Sequence, residues 1–229
     1  MKKLVIIPAF NESASIVRTV QDIQANAKDF DYIVINDCST DNTMEVCREN
    51  DIHCLSLPVN LGIGGAVQCG YLYGVRNGYD VAVQFDGDGQ HSAKYLGDMF
   101  QTMQNEKADM VIGSRFITNE GFQSSFIRRV GIRHFYFLIR ILTGCQITDP
   151  TSGMRMVNRD IMLTFSEDYP KDYPEPESVV YILGKKRKVV EIPVRMNERM
   201  DGISSISPKK SIYYMVKVTI AMMIARFGK

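Results

Sequence analysis

The stretch that decides the fold runs from residue 81 to residue 91 and reads VAVQFDGDGQH. Its first five residues form a short, mostly apolar run, which indicates a buried β-strand. Asp86 and Asp88 follow two positions apart, so in an extended backbone both carboxylates project to the same side. The pair predicts a site for a hard divalent cation, with Gln90 as a third oxygen donor. For an isolated Asp-x-Asp, a solvated turn is the alternative.

The same arrangement recurs through the first half of the chain. Short β-branched runs alternate with amphipathic stretches from residue 4 to residue 112, and four runs lead into polar or glycine-rich loops: residues 8–12, 36–41, 60–65 and 86–91. In a parallel sheet with helices on both faces, such loops meet at one edge, where ligands bind. The sequence therefore predicts an α/β fold with a mostly parallel central sheet and a ligand crevice.

The second half departs from this alternation. We expect a helix over residues 122–142, in which Phe126, Val130, Phe137 and Ile141 recur at helical spacing and three arginines lie near a second face, Arg129, Arg133 and Arg140. A basic surface helix packed on the core and a membrane-surface helix are both compatible with this pattern. An acidic loop around residues 173–177, a helix to Leu183 and a strand over residues 189–194 follow.

The C-terminal segment is strongly apolar from residue 211 to residue 227 but contains Lys217 and Arg226. It is shorter than the ~20 apolar residues that a spanning helix requires, so we expect it not to cross a bilayer. The pattern predicts a catalytic domain over residues 1–206 and an amphipathic helix over residues 207–229. This helix would lie on an anionic membrane, complete the core or form a homodimer contact.

Composition and charge narrow the function. The 229 residues, 45% hydrophobic and 23% charged, are typical of a globular protein. Residues 1–110 carry 15 acidic and 8 basic side chains, whereas residues 111–229 carry 11 and 19. The acidic half suits a cation-assisted site and the basic half suits a phosphorylated substrate or an anionic surface. Basic residues lack the interleaved stacking aromatics of nucleic-acid modules, so we expect no nucleic-acid partner.

The cysteines and the N-terminus indicate the compartment. Five cysteines form no Cys-x-x-Cys pair and have no histidines at zinc-ligand spacing, which favours reduced thiols. Only four apolar residues precede Pro8, too few for a signal-peptide core. We therefore expect a cytoplasmic protein without a signal peptide, peripheral on the inner face of the cell membrane if the basic helices bind lipid.

Seven segments in order resemble the inverting nucleotide-sugar glycosyltransferases with the GT-A fold, in the dolichol-phosphate-mannose-synthase-like branch. They are residues 8–12, 36–41, 60–66, 86–91, 113–115, 149–155 and 198–204. The resemblance implies a hexosyltransferase that uses Mg²⁺ or Mn²⁺ to pass a sugar from a UDP- or GDP-linked donor. The implied acceptor is a polyprenyl phosphate or a cell-surface glycan precursor.

The resemblance also implies roles for individual residues. Donor binding falls to Pro8, Ala9, Asn11, Glu12, Asp37, Gly64, Asp86 and Gly87. The metal site is Asp86, Asp88 and Gln90, and the acceptor site is Arg115, Arg128 and Ser204. The catalytic residues are Asp88, Arg199 and Glu177, the last as an acid beside the sugar.

Two alternatives stay open on the sequence. A sugar-hydroxyl acceptor would need a carboxylate base, for which Glu175, Glu177 and Asp149 are the candidates. A catalytically weak nucleotide-sugar-binding protein is the other alternative, because Ile203 stands where related enzymes often carry a lysine. A Rossmann dehydrogenase is excluded, since its glycine motif follows the first strand whereas Gly62-Ile63-Gly64 follows the third.

Overall fold

The structure, a computed structural model, describes residues 1–118, 126–172, 174–197 and 208–228. Its seven strands are β1 Lys3–Ala9, β2 Asp31–Asn36, β3 Cys54–Ser56, β4 Val81–Gln84, β5 Met110–Ser114, β6 Arg155–Asn158 and β7 Val189–Pro193. They form one sheet in the order β3-β2-β1-β4-β6-β5-β7. Only β6 runs antiparallel to its neighbours, β4 and β5. The predicted mostly parallel sheet is confirmed.

Helices cover both faces of the sheet. They are α1 Ile16–Asn26, α2 Thr43–Glu49, α3 Gly62–Arg76, α4 Leu96–Glu106, α5 Phe126–Thr143, α6 Arg159–Glu167, α7 Pro174–Gly184 and α8 Pro208–Phe227, with a short 3₁₀ turn at Ala93–Tyr95. One core cluster, which includes Leu4 and Ile6, packs under α3 and α5 to α8. The other, which includes Val5 and Ile7, packs under α1, α2 and α4. Alternate residues of β1 thus serve two cores, as period-two side chains require.

Two elements of the second half were not predicted. Strand β6 has only four residues and begins with a charged side chain, Arg155, so it shows no apolar run. Helix α6 follows it and begins with a side-chain cap, because the Asn158 side chain accepts a hydrogen bond from the amide of Ile161. The acidic loop expected around residues 173–177 was also wrong for residues 174–177. They form the first turn of α7, where a leading Pro174 and acidic residues are favourable.

Helix α5 faces the core with a different stripe from the one the spacing singled out. Ile132, Phe135 and Ile139 are buried, whereas Val130, Phe137 and Ile141 are exposed; the side chain of Phe126 lies outside the described residues. Helix α8 packs against α5 and α7, and its Val218 and Met222 are buried in the same cluster. Among the described helices, none is long and apolar enough to cross a membrane.

Close contact between α3 and β1 depends on a glycine. A Cβ on Gly70 would lie 2.2 Å from Cγ2 of Ile6, a buried core side chain that has no room to move. We expect Gly70→Ala to lower the free energy of unfolding by about 1–3 kcal/mol, because the added methyl overpacks this contact. Urea denaturation monitored by circular dichroism measures the change.

Gly97, near the start of α4, is the matched control. A Cβ there would meet nothing within 4 Å, so Gly97→Ala gains helix propensity without a clash and should stabilise by up to about 1 kcal/mol. Equal effects of the two substitutions would contradict the packing argument for Gly70.

Candidate active site

The loop after β4 carries both carboxylates predicted to bind the metal, Asp86 and Asp88. The Asp88 side chain is largely buried and its Oδ1 accepts a hydrogen bond from the Gln90 amide at 3.0 Å. The Asp86 side chain is about one-third exposed, with 34% of its surface accessible. Asp86 therefore presents a carboxylate to the crevice from a loop that Asp88 and Gln90 hold in shape.

His91 holds the backbone of Asp86 in place. Its ring is buried against the edge of Phe85, and its Nδ1 accepts the Asp86 backbone N–H at 3.2 Å. A neutral ring that accepts at Nδ1 carries its proton on Nε2. Nε2 lies 3.6 Å from Oδ2 of Asp86 and has no hydrogen bond within the described part of the chain. Sequence analysis predicted no role for His91, although it stands at the end of the segment of residues 86–91.

Two glycines let neighbouring loops approach this carboxylate. A Cβ on Gly153 would lie 2.5 and 2.7 Å from the two carboxylate oxygens of Asp86. A Cβ on Gly87 would lie 3.2 Å from the carbonyl oxygen of Pro8. The loops after β1 and β4 and the loop before β6 therefore meet at Asp86, as the predicted crevice requires.

The residues predicted to bind the nucleoside also join three loops. Oδ1 of Asp37 accepts the Leu61 amide at 2.7 Å, and the Asp37 amide donates to the Ala9 carbonyl at 2.9 Å. Asn11 has a left-handed backbone, φ 59°, and its Oδ1 accepts the Thr40 amide at 2.8 Å. The structure thus gives Asn11 and Asp37 a positioning role at the edge of the crevice.

The other predicted donor residues divide between crevice and core. Glu12 lies beside Gly87, and its Oε2 accepts a hydrogen bond from the Ser15 hydroxyl at 2.7 Å. Pro8 and Ala9 are buried at the end of β1.

Gly64 was expected to bind the donor, but the structure gives another reason for a glycine there. The residue is buried, and a Cβ would lie 2.1 Å from the Pro170 carbonyl oxygen. Its amide donates to the Lys171 carbonyl at 3.2 Å. Gly64 therefore packs against the segment between α6 and α7 instead of opening onto the crevice.

Arg115 follows β5 and forms a buried, two-pronged ion pair with Asp149. Its Nε and Nη2 donate to Oδ2 and Oδ1 of Asp149 at 2.6 and 2.7 Å, and Nη2 also donates to Thr151 Oγ1 at 2.9 Å. Glu191 of β7 fixes the partner in turn, because its carboxylate accepts the amides of Thr148 and Asp149. Arg115 is thus a rigidly held cation: burial lowers its pKa, but the hydrogen bonds and charge of Asp149 raise the pKa more, and the charge of Asp86 adds to the rise.

Arg155 is a second buried arginine, at the end of the segment of residues 149–155, and the sequence predicts no role for it. Its guanidinium donates to four groups, the carbonyls of Pro150, Ser152 and Glu175 and the Ser178 hydroxyl. These groups belong to the loop before β6 and to α7. The sequence held no signal for this role, because β6 was not predicted as a strand; an arginine that is buried must have hydrogen-bond partners, and Arg155 finds them in these four groups.

The acid expected beside the sugar was Glu177, but the structure places it elsewhere. Glu177 lines a cavity of about 210 Å³ with Asp168, Tyr181 and Ile224, between α7 and the end of α8. Burial, together with Asp168 and Asp172, raises its pKa. Glu177 therefore lies on the side of α7 that faces α8.

Glu175, two residues before Glu177, lies near Arg155 and Asp86. Burial is the main cause that raises the pKa of Glu175, the charge of Asp86 adds to the rise, and the charge of Arg155 opposes it. Its charged neighbours are therefore Arg155 of β6, which also donates to the Glu175 carbonyl, and Asp86 after β4. Because α7 starts at Pro174, a two-residue step along the first turn separates the two acids by roughly half a turn.

Three predicted residues are not placed by the structure. Arg199 and Ser204 lie outside the described residues, and Arg128 is described only by its backbone in α5.

The oxygen ligands of Asp86 and Asp88 fit a hard divalent cation whose coordination substrate phosphates would complete. Asp86 and Asp88 supply carboxylate oxygens, and no group of three or more histidine, cysteine or acidic side chains with metal-site geometry occurs in the described ranges. Mg²⁺ and Mn²⁺ in diphosphate sites are held by one or two carboxylates, and phosphate oxygens take other positions. Asp86 and Asp88 would hold such a cation.

Comparison with protein families decides the class. The model of glycosyl transferase family 2 matches residues 4–164, which include the loops after β1, β2 and β4 and the Arg155 strand. The chain belongs to glycosyl transferase family 2. The resemblance drawn from the seven segments is confirmed, and the protein is a glycosyltransferase.

Named relatives of this glycosyltransferase act on lipid phosphates. The UDP-N-acetylglucosamine–dolichyl-phosphate N-acetylglucosaminyltransferase of Methanococcus voltae is 29% identical over 210 residues, 83% of each chain. The undecaprenyl-phosphate mannosyltransferase of Micrococcus luteus is 29% identical over 216 residues, 90% of this chain and 88% of the relative.

Solved structures confirm the fold of the glycosyltransferase. Glucosyl-3-phosphoglycerate synthase from Mycobacterium tuberculosis, in complex with Mn²⁺, UDP and phosphoglyceric acid, superposes with a TM-score of 0.75 at 18% identity. The match covers 99% of this chain and 78% of that one. The predicted GT-A fold is therefore confirmed, with α8 included in the superposed length.

The positions of the two acids predict different outcomes for two substitutions. We expect Glu177→Gln to keep the sugar-transfer rate within about twofold, because Glu177 lies outside the crevice, and Glu175→Gln to lower it about tenfold, because the charge beside Asp86 changes. Initial rates at saturating donor measure both. A loss confined to Glu177→Gln would restore the original assignment.

The raised pKa of Glu177 also predicts a pH dependence. The folded chain holds this proton more tightly than the unfolded chain, so ionisation costs stability as pH rises from 4.5 through the folded-state pKa. Glu177→Gln should therefore raise the melting temperature at pH 7.5 and leave it nearly unchanged at pH 4. Differential scanning calorimetry at both pH values measures the two shifts.

Proposed function

We propose that this glycosyltransferase moves a hexose from a UDP- or GDP-linked donor to a polyprenyl phosphate, with Mg²⁺ or Mn²⁺ bound at Asp86 and Asp88. The observation that carries the proposal is the loop of residues 149–153, which holds the buried Arg115 at Asp149 and lies against the Asp86 carboxylate at Gly153. Relatives over 83–90% of the chain are named for dolichyl or undecaprenyl phosphate, which supports the acceptor class.

The proposed chemistry is an in-line displacement at the anomeric carbon of the sugar. The acceptor phosphate is already anionic, so its oxygen attacks without a general base, and the glycosidic bond to the nucleoside diphosphate breaks. Arg115 is proposed to contact the acceptor phosphate through Nη1, because Asp149 and Thr151 take Nε and Nη2. A bound cation would stabilise the charge that develops on the leaving diphosphate. Arg199 is proposed to assist on the same side.

A hydroxyl acceptor is the second candidate, and Glu175 is the observation that favours it. The base that such an acceptor needs must be a carboxylate free to take a proton. Asp149 is occupied by Arg115, and Glu177 lines a different cavity. Glu175, whose pKa is raised by burial beside Asp86, is the remaining acid of the three.

The test combines donor binding with transfer. Thermal shifts of the purified protein with UDP, GDP, CMP and ADP, with and without Mn²⁺, identify the nucleotide, because a ligand of the folded state raises its stability. The matching radiolabelled sugar nucleotides are then incubated with a short-chain polyprenyl phosphate. Label that partitions into organic solvent supports the proposal. Transfer only to sugar hydroxyls selects the second candidate, and binding without transfer indicates a binding protein.

Asp88→Ala tests the metal site. We expect it to reduce transfer at least a hundredfold, because the cation and the loop around Gln90 both depend on this carboxylate. Chelation of the wild-type protein with EDTA should give the same loss, reversed by Mn²⁺. Circular dichroism of the variant controls for folding, and full activity of the wild type in excess EDTA would contradict the metal role.

Arg115→Lys tests the acceptor site while it keeps the charge that Asp149 requires. Lysine has a single nitrogen and cannot hold Asp149 and also offer a second nitrogen to a phosphate, so we expect the KM for polyprenyl phosphate to rise about tenfold. The KM for the nucleotide sugar should change less than twofold. Steady-state kinetics with each substrate varied gives both values, and the opposite order would move Arg115 to the donor side.

A further inference from the structure

Helices α5 and α8 form a parallel pair on the surface of the molecule. Three contacts join them along their length: Gly131 with Met215, His134 Nε2 with Thr219 Oγ1 at 3.0 Å, and the carbonyl of Leu142 with Nε of Arg226 at 2.8 Å. The partners are 84 or 85 positions apart in every case, so the two helices run in the same direction and in register.

Each helix carries an exposed apolar stripe. On α5 it is Val130, Phe137 and Ile141, and Ile141 is 80% exposed. On α8 the exposed apolar residues recur every three or four positions, as one face of a helix requires: Tyr213, Val216, Ile220, Met223, Ile224 and Phe227. Buried core residues lie on the side of each helix opposite to its stripe, for example Phe135 on α5 and Val218 on α8.

Both stripes open to the same side. At about 100° per residue, each stripe lies roughly a quarter turn from the residues that contact the other helix. On α5, the step from the stripe to the contact residue runs toward the C-terminus, from Val130 to Gly131. On α8, the step runs toward the N-terminus, from Val216 to Met215. For parallel neighbours, this places the stripes side by side. We call the nine residues of the two stripes the α5–α8 face.

The two helices of the α5–α8 face carry charges of a single sign, and among the described residues acids of neighbouring segments border only the α8 side, where Asp172 pairs with Lys217 and where Asp168 and Glu177 line a cavity with Ile224. The two helices contain eight lysines and arginines and no aspartate or glutamate. Arg129, Arg133 and Arg140 are exposed along one flank of the α5 stripe. An apolar surface bordered by cations matches the two layers of an anionic lipid surface, acyl chains below and phosphates above.

We propose that the α5–α8 face lies on the surface of an anionic lipid bilayer. The apolar side chains would enter the boundary between headgroups and acyl chains, and the arginine flank would meet lipid phosphates. A second copy of the chain fits less well, because a symmetric contact through this face would bring the arginine flanks of both copies into the same interface.

The α5–α8 face is connected to the crevice. Residues 144–147 lead from the end of α5 to Thr148 and Asp149, and Asp149 holds Arg115. A face bound to lipid would therefore keep the proposed acceptor site near the bilayer. The docking itself does not rest on the proposed function, and its test uses neither donor nor acceptor.

The experiment is co-sedimentation of the full chain with two kinds of vesicle. One contains phosphatidylcholine alone, and the other contains phosphatidylcholine with about 30% phosphatidylglycerol. We expect the partition coefficient to be at least about tenfold higher on the anionic vesicles, and to fall when NaCl is raised from about 0.1 M to 0.5 M. The double substitution Phe137→Ser with Ile224→Ser should lower it at least tenfold. Arg133→Glu should lower it at least fivefold on anionic vesicles only.

Matched controls change the same chemistry elsewhere. Leu55→Ser removes an exposed apolar side chain from the edge strand β3. Arg18→Glu reverses an exposed charge on α1, which covers the opposite face of the sheet. Both should bind like wild type. Because all the substituted side chains are partly or largely exposed, melting curves should change little; a variant that unfolds is replaced by Ile141→Ser, which is 80% exposed.

Several results would overturn the proposal. They are equal binding to neutral and anionic vesicles, absence of binding, or unchanged binding of the double variant. A dimer that the double variant dissociates, seen by light scattering, would show that a second copy covers the face. Transfer to a water-soluble short-chain acceptor should survive the double substitution, so failure of docking and failure of the proposed function give different results.

Discussion

The guanidinium of Arg155 is the group on which the site depends. It is buried and satisfies three carbonyls and one hydroxyl from the loop before β6 and the start of α7. Without it these carbonyls would be buried without partners, at about 1–3 kcal/mol each. The same hydrogen bonds bring Gly153 against Asp86 and place Glu175 beneath the crevice. An arginine in an antiparallel strand thus fixes an acidic site.

Charges alternate around this centre. The pair of Asp149 with Arg115 is held by Glu191, which is itself satisfied by two backbone amides. A buried ion pair of this kind loses several kcal/mol when one partner is removed, about 3–5 kcal/mol by comparison with other buried pairs. The crevice therefore has carboxylates on one side and a fixed cation on the other, an arrangement that suits two phosphorylated substrates and the transfer of a sugar between them.

The sequence predicted the first half of the sheet because local signals and tertiary packing agree there. Strands β1, β2, β4 and β5 are short, mostly apolar and largely buried runs, whereas the edge strand β3 is mostly exposed; each leads into a polar loop or helix start. The second half failed where these signals conflict. Strand β6 is too short for a period and begins with a charge, and Pro174 with two acids resembles a loop until it is seen to start α7.

The sequence by itself determined the fold class, the Asp86 and Asp88 pair and the glycosyltransferase family, because these depend on residue order and on short-range spacing. Tertiary structure alone decided which acid of α7 approaches the crevice and which apolar stripe of α5 faces the core. Both choices depend on the rotation of a helix about its own axis. That rotation is set by the neighbours against which the helix packs, Arg155 for α7 and the sheet for α5, and no spacing within the helix specifies it.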